Sequence, residues 1–228
     1  MTAFTDRVVV VTGATGKLGQ VVSRRFAEAG ARVALLALDE DSCIGLAMSL
    51  PGGAKRHRGV PVDLADAVSA EAAADTVRER MGSPSILLHL VGGYAGGTPF
   101  VEGNDDEWTH LLDLNLWSTV HAVRSFLPDV VAAEHGRIVT VSTFAAAAPT
   151  PKHAAYAATK AAVEALTISV ARDLAGTTAT ANVVVLRSIG DEKPTDQRPA
   201  EIAAAMEWLC SPEAGAVNGQ RIPLIGRA

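Results

Sequence analysis

The sequence predicts a three-layer α/β/α fold: a doubly wound parallel sheet of about seven strands with helices on both faces. Three observations point there. Short β-branched runs alternate with helix-like segments along the chain, as crossover connections in a parallel sheet require. The first run, Val8-Val9-Val10-Val11, is apolar at every position, which suits a strand buried on both faces. A glycine-rich turn follows it directly and leads into the first helix.

The elements follow in order. Arg7–Thr12 reads as the first strand, and Leu18–Ala29 as a helix ended by Gly30. Val33–Leu38 is the second strand. A helix over about Asp41–Leu50 is stopped by Pro51-Gly52-Gly53. Arg58–Val62 and Ile86–Val91 are the third and fourth strands, separated by a helix over Ser69–Met81. One long helix is expected from about Asp105 to Ala133, capped by Asn104 or Asp105 and kinked or shortened by Pro128. Arg137–Ser142 is the fifth strand and Ala154–Ala175 the next helix. Val183–Leu186, a last helix over Ala200–Cys210 and a closing strand over Gln220–Leu224 complete the pattern. No linker or repeat divides it, so residues 1–228 are expected to form one domain.

Composition narrows the function. The 228 residues are 48% apolar and 20% charged, the balance of a soluble globular chain. Net charge is −5 with no long basic run. Lys55-Arg56-His57-Arg58 reads as a solvated turn, and no nucleic-acid partner is expected. No apolar run reaches the ~20 residues that span a membrane, and the N-terminus lacks a signal-peptide layout. Two cysteines, Cys43 and Cys210, are too few for a disulfide scaffold, so a cytoplasmic location is expected. The His, Cys and carboxylate positions show no metal-ligand spacing.

Thr12-Gly13-Ala14-Thr15-Gly16-Lys17-Leu18-Gly19 sits between strand and helix. Small residues let the backbone approach a pyrophosphate, and the helix N-terminus offers free N–H groups. A nucleoside-triphosphate P-loop is excluded, because Leu18 rather than Ser or Thr follows Lys17. The turn therefore predicts dinucleotide binding in a Rossmann-like fold. Asp39, after the second strand, suits a ribose 2′-hydroxyl and repels a 2′-phosphate, while Lys17 pulls the other way. The cofactor expected is NAD or NADP, with Asp39 tipping the balance to NAD. Asp63 is placed for adenine or for capping the third helix.

Tyr156-Ala-Ala-Thr-Lys160 puts a phenol and an ammonium on one helix face. A cation beside the phenol favours the phenolate, so a lowered Tyr156 pKa is expected. Such a phenol could trade a proton with a substrate oxygen.

Taken with Asn115 and the Ser142-Thr143 pair, these motifs resemble the short-chain dehydrogenase/reductase family in its compact form. The resemblance runs over nearly the whole chain. It implies Tyr156 as general acid/base and Lys160 as ligand of the nicotinamide ribose. It implies Thr143 as the hydroxyl that binds the substrate oxygen, with Ser142, expected on the other strand face, as the weaker candidate. Asn115 would hold a water that relays protons to Lys160. Cofactor contacts would fall at Gly13, Thr15, Gly16, Lys17, Leu18 and Gly19, at Leu38, Asp39, Asp63 and Leu64, at Val91, Gly92 and Gly93, and at Ser188, besides Tyr156 and Lys160. A small-molecule substrate and a homotetramer or homodimer packing the two long helices are implied too.

Three departures concern the pocket. His89-Leu90-Val91-Gly92 stands where the family has Asn-Asn-Ala-Gly, which should remove side-chain bonds at the sheet centre. Leu186-Arg187 replaces the usual Pro-Gly, removing a backbone clamp. Val91–Gly97 carries four glycines, either a flat-ligand platform or a mobile loop, and resembles dihydropteridine reductase locally. Two alternatives follow: a reductase of a pteridine-type C=N system, and a catalytically weak dinucleotide-binding sensor or scaffold. Phe144 and Tyr94 are candidates for the pocket wall. His153 is expected on the surface near its helix start, with the pocket rim one turn from Tyr156 as the alternative, and His89 packed at a strand end.

Overall fold

The strands are β1 (Val8–Thr12), β2 (Arg32–Ala37), β3 (Arg58–Pro61), β4 (Ile86–His89), β5 (Arg137–Thr143), β6 (Thr180–Leu186) and β7 (Arg221–Leu224). In the computed structural model, which describes residues 4–193 and 196–226, they form one sheet in the order β3-β2-β1-β4-β5-β6-β7. Every neighbouring pair is parallel. Val9 of β1 lies between Val33 of β2 and Ile86 of β4, so the chain reverses its direction of travel across the sheet at β1. Ligands bind at the carboxyl ends of the strands beside such a reversal.

The helices are α1 (Lys17–Glu28), α2 (Glu40–Ser49), α3 (Ala67–Met81), α4 (Asp105–Leu111), α5 (Ser118–Ala132), α6 (Ala154–Asp173) and α7 (Pro199–Cys210). Strand β1 explains the layering. Val9 and Val11 pack with Val22 and Phe26 of α1 and Ile202 and Met206 of α7 on one face. Val8 and Val10 pack with Val77 of α3, Phe126 of α5 and Val170 of α6 on the other. Burial of roughly 1.5–3 kcal/mol per such side chain makes these two cores the main source of stability.

Local chemistry sets the boundaries. Asp39 caps α2 by accepting from Ser42 N at 2.8 Å, and Asn104 caps α4 by accepting from Glu107 N at 3.1 Å. Asp66 caps α3 through Val68 N at 2.9 Å, so the cap expected as one role of Asp63 belongs to Asp66. Asp63 instead closes a tight turn on Ala65 N at 2.9 Å. β4 stops at His89 rather than Val91, and β6 starts at Thr180, earlier than expected.

The single helix expected over 105–133 is broken, though not at Pro128. Residues Leu112–Trp117 form a π-helical turn between α4 and α5. The Ser118 and Thr119 hydroxyls donate to the carbonyls of Leu114 and Asn115, each at 2.6 Å. They occupy acceptors that the wider turn loosens. Pro128 lies on the exposed side of α5, and α5 continues to Ala132.

Candidate active site

Two cavities open at the carboxyl end of the sheet. One, of about 340 Å³, is lined by Gly92, Gly93, Tyr94, Ser142, Thr143, Tyr156, Lys160 and residues 186–189 among others. The second, of about 280 Å³, is lined by Gly13, Thr15, Leu38, Asp39, Asp63, Leu64 and Val91, with Asp113, Leu114 and Ser118 closing it. The first gathers the reactive side chains, the second the expected adenosine contacts. Gly16, Lys17, Leu18 and Gly19 line neither; they form the end of the turn and the start of α1.

That turn passes a fit test for a dinucleotide. Gly16 caps α1 without any side-chain hydrogen bond, which leaves helix N–H groups available to an anion. A Cβ at Gly19 would lie 2.2 Å from the Gly13 carbonyl oxygen, so only glycine lets α1 pack this close to the turn. Lys17 is exposed at the first position of α1, whereas Asp39 lies in the second cavity wall with one carboxylate oxygen on Ser42 N. Residues from both sides of the sheet thus shape a groove suited to a dinucleotide.

Tyr156 and Lys160 project from the first turns of α6. Lys160 is buried, and its Nζ donates to the Val141 carbonyl at 3.2 Å. Burial pushes its pKa down to about 8. The Tyr156 pKa is raised, not lowered as expected. Burial is the first cause, a hydrogen bond from Thr143 opposes it, and the Tyr94 phenol adds to the rise. Lys160 is not among the causes of the shift; its Nζ bonds β5 instead.

Thr143 ends β5 and accepts from Ala145 N at 3.4 Å. Ser142 was expected on the opposite strand face. It lines the same cavity, with its hydroxyl donating to the Lys160 carbonyl at 3.3 Å. Asn115, in the π-turn, is fully buried. Its Oδ1 accepts from Gly93 N at 2.9 Å, and its Nδ2 donates to Gly93 O at 3.2 Å and Thr159 Oγ1 at 3.1 Å. A Cβ on Gly92 would stand 2.6 Å from Lys160 Nζ and 2.9 Å from Asn115 Oδ1, so glycine here lets the two groups face one another.

His89 restores what its motif was expected to remove. Its Nδ1 lies 3.0 Å from Thr12 Oγ1, and Leu90 N donates to the same hydroxyl at 3.1 Å. Thr12 therefore donates to Nδ1, leaving Nε2–H to face Ser118 Oγ at 3.5 Å. The imidazole is neutral in this chain of bonds, and burial, with Lys160 second, pushes its pKa down to about 3. It ties β4 to β1 and to α5.

Two features lay outside the sequence argument. Gln197 is buried, and its Oε1 accepts from Arg187 N at 2.8 Å and Ser188 N at 3.1 Å. It fixes the loop after β6, with Ser188 Oγ donating to Asp196 at 2.6 Å. A lone Gln eleven residues beyond a strand gives no local signal. The guanidinium of Arg187, in the cavity wall, sits 5.7 Å over the ring of Phe144, which was expected in that wall but does not line it. His153 bonds Tyr94, a residue of the cavity wall, as the pocket-rim alternative anticipates.

Residues 7–193 match the family model of the short chain dehydrogenases. The chain is a short-chain dehydrogenase/reductase. It is 31% identical to the D-threitol dehydrogenase of Mycolicibacterium smegmatis, over 96% of this chain and 92% of that protein. It is 30% identical to the meso-2,3-butanediol dehydrogenase of Serratia marcescens, over 99% and 95%. An NADPH-bound short chain oxidoreductase from Pseudomonas aeruginosa PAO1, one containing an atypical catalytic center, superposes with a TM-score of 0.89 at 26% identity, over 98% of this chain and 97% of that one. Members of the family are NAD(P)-dependent oxidoreductases, and this chain is one by membership. None of its described helices is long and apolar enough to cross a membrane.

Proposed function

We propose that this dehydrogenase/reductase moves a hydride between the nicotinamide and a carbinol or carbonyl carbon, with Tyr156 as general acid/base. The observation that carries this reading is the convergence of Tyr156, Thr143 and Lys160 in one cavity beside an uncapped α1 N-terminus. The nicotinamide, when bound, supplies or accepts the hydride. A raised Tyr156 pKa keeps the phenol protonated at neutral pH, ready to donate to a ketone oxygen; alcohol oxidation uses the same atom as acceptor. Thr143 Oγ1 holds that oxygen in line with the phenol. Lys160 keeps most of its charge at pH 7 and supports negative charge as it develops on Tyr156. Asn115 and Gly93 hold the loop against α6, keeping Lys160 and the cofactor groove in register.

Residues of the second cavity would hold the adenosine, with Asp39 toward the ribose, so NAD is the proposed cofactor. A homo-oligomer through α5 and α6 and a cytoplasmic location belong to the same proposal; light scattering at micromolar concentration tests the assembly. Relatives named for threitol and butanediol dehydrogenation favour alcohol chemistry over the pteridine-type and sensor alternatives. The test is oxidation of NADH or NADPH by a ketone panel. Turnover that falls at least about a hundredfold in Tyr156→Phe supports the mechanism; near-wild-type turnover in that variant refutes it.

A further inference from the structure

The cavity contains a second phenol with its own hydrogen-bonded imidazole. Tyr94 Oη lies 2.6 Å from His153 Nε2, and His153 Nδ1 lies 2.8 Å from Thr150 Oγ1. The Tyr94 ring meets the Tyr156 ring edge-on, with centroids 5.1 Å apart. Apart from a minor upward push of Tyr94 on the Tyr156 pKa, the proton transfer at Tyr156 does not use this pair.

The pair is held in place by backbone. Gly97 N donates to the Lys152 carbonyl at 2.9 Å, docking the glycine-rich loop on the turn before α6. Gly96, at φ 158°, lets the loop close over the imidazole: a Cβ there would lie 2.5 Å from His153 Cδ2. Lys152 adopts φ 68°, a left-handed conformation that is strained for a non-glycine residue. Such strain persists where neighbouring contacts over-determine it, often at ligand sites.

We infer that Tyr94 and His153 form a second oxygen-binding subsite, which selects substrates carrying a hydroxyl next to the reacting carbinol or carbonyl. The inference rests on the proposed function and deepens it. Tyr94 is 64% exposed, so its oxygen retains room for a partner besides His153. With Nδ1–H on Thr150, Nε2 accepts a hydrogen bond from the Tyr94 hydroxyl, and the phenol oxygen accepts from a substrate hydroxyl. With Nε2–H on Tyr94, the phenol donates instead. The subsite therefore serves the unreacted hydroxyl of both a vicinal diol and its hydroxyketone product. Tyr94 and Tyr156 line the same cavity, so a small vicinal diol bound there can meet both phenols.

The experiment compares acetoin with 2-butanone as substrates of the full chain, using NADH and NADPH in turn. Wild type is expected to prefer acetoin by at least about tenfold in kcat/KM. Tyr94→Phe keeps the ring against Tyr156 and removes only the hydroxyl; it should cut the acetoin-to-butanone ratio about tenfold. His153→Gln should cut the same ratio, and melting curves confirm that both variants fold. A wild type without preference overturns the inference and leaves the proposed function standing. So does a ratio unchanged in Tyr94→Phe, with both ketones falling together. Silence of both ketones with both cofactors would count against the proposed function and remove this inference with it.

Discussion

Lys160→Met is expected to make the chain more stable without cofactor while removing its activity. Lys160 is buried, with its pKa pushed from 10.5 to about 8. At about 1.4 kcal/mol per pH unit, charged Lys160 costs the folded state on the order of 3 kcal/mol at pH 7. Methionine keeps the length and removes the charge. It also leaves the Val141 carbonyl without the 3.2 Å bond from Nζ, a loss of about 1–2 kcal/mol. The net gain is about 1–2 kcal/mol, or a melting temperature higher by roughly 2–8 °C for a domain of this size. The sign with pH is fixed by linkage. Below pH 8 both folded and unfolded chains carry the proton, and the cost is full. Between pH 8 and 10.5 the unfolded chain binds a proton that the folded chain lacks, so wild-type stability rises relative to the variant. The gain of Lys160→Met is therefore largest at pH 7 and gone near pH 10. Melting curves of both proteins at pH 7, 8, 9 and 10 measure this. A variant no more stable than wild type at pH 7, or a gain that grows with pH, refutes the reasoning.

Three further outcomes follow. Asp39→Ser keeps a helix cap but removes the carboxylate from the second cavity, so the kcat/KM ratio for NADPH over NADH should rise at least about tenfold. An unchanged ratio in initial-rate assays would show that Asp39 does not read the ribose. Thr143→Val should lower kcat about 10²–10³-fold, whereas Thr143→Ser should stay within about tenfold of wild type; equal losses would remove the hydroxyl from the mechanism. His89→Leu should destabilise by about 2 kcal/mol at pH 7, since it strips the buried Thr12 hydroxyl of its partner. From pH 6.5 down toward 3 the unfolded chain gains a proton at His89 that the folded chain refuses, so wild type loses stability there. Acid melts should show a shallower loss in the variant, and parallel slopes would contradict a neutral buried imidazole.

What the sequence disclosed and what it concealed differ in physical kind. Strand β1 was legible because burial on both faces demands an apolar residue at every step, and Val8–Val11 meets that demand without reference to any other segment. The glycine turn was legible for the same reason: close approach of backbone to backbone leaves a residue type that can be read directly. The π-turn was not. The hydroxyls of Ser118 and Thr119 bond one turn back beside it, and an extra residue per turn leaves the apolar spacing nearly unchanged. The Tyr156 pKa went astray because spacing places Lys160 one turn away but cannot weigh burial, nor show that Nζ is held by Val141. Substitutions at motif positions misled in a further way. His89 ties β4 to β1 through a different functional group, so a motif read position by position records a loss where the folded chain has kept a bond. Tyr94 and His153 carry this furthest. They are separated by 59 residues, and only the docking of the loop on the turn at Lys152 brings phenol and imidazole together. Their pairing depends on the fold rather than on any local pattern, so substrate choice is the property least visible in the sequence.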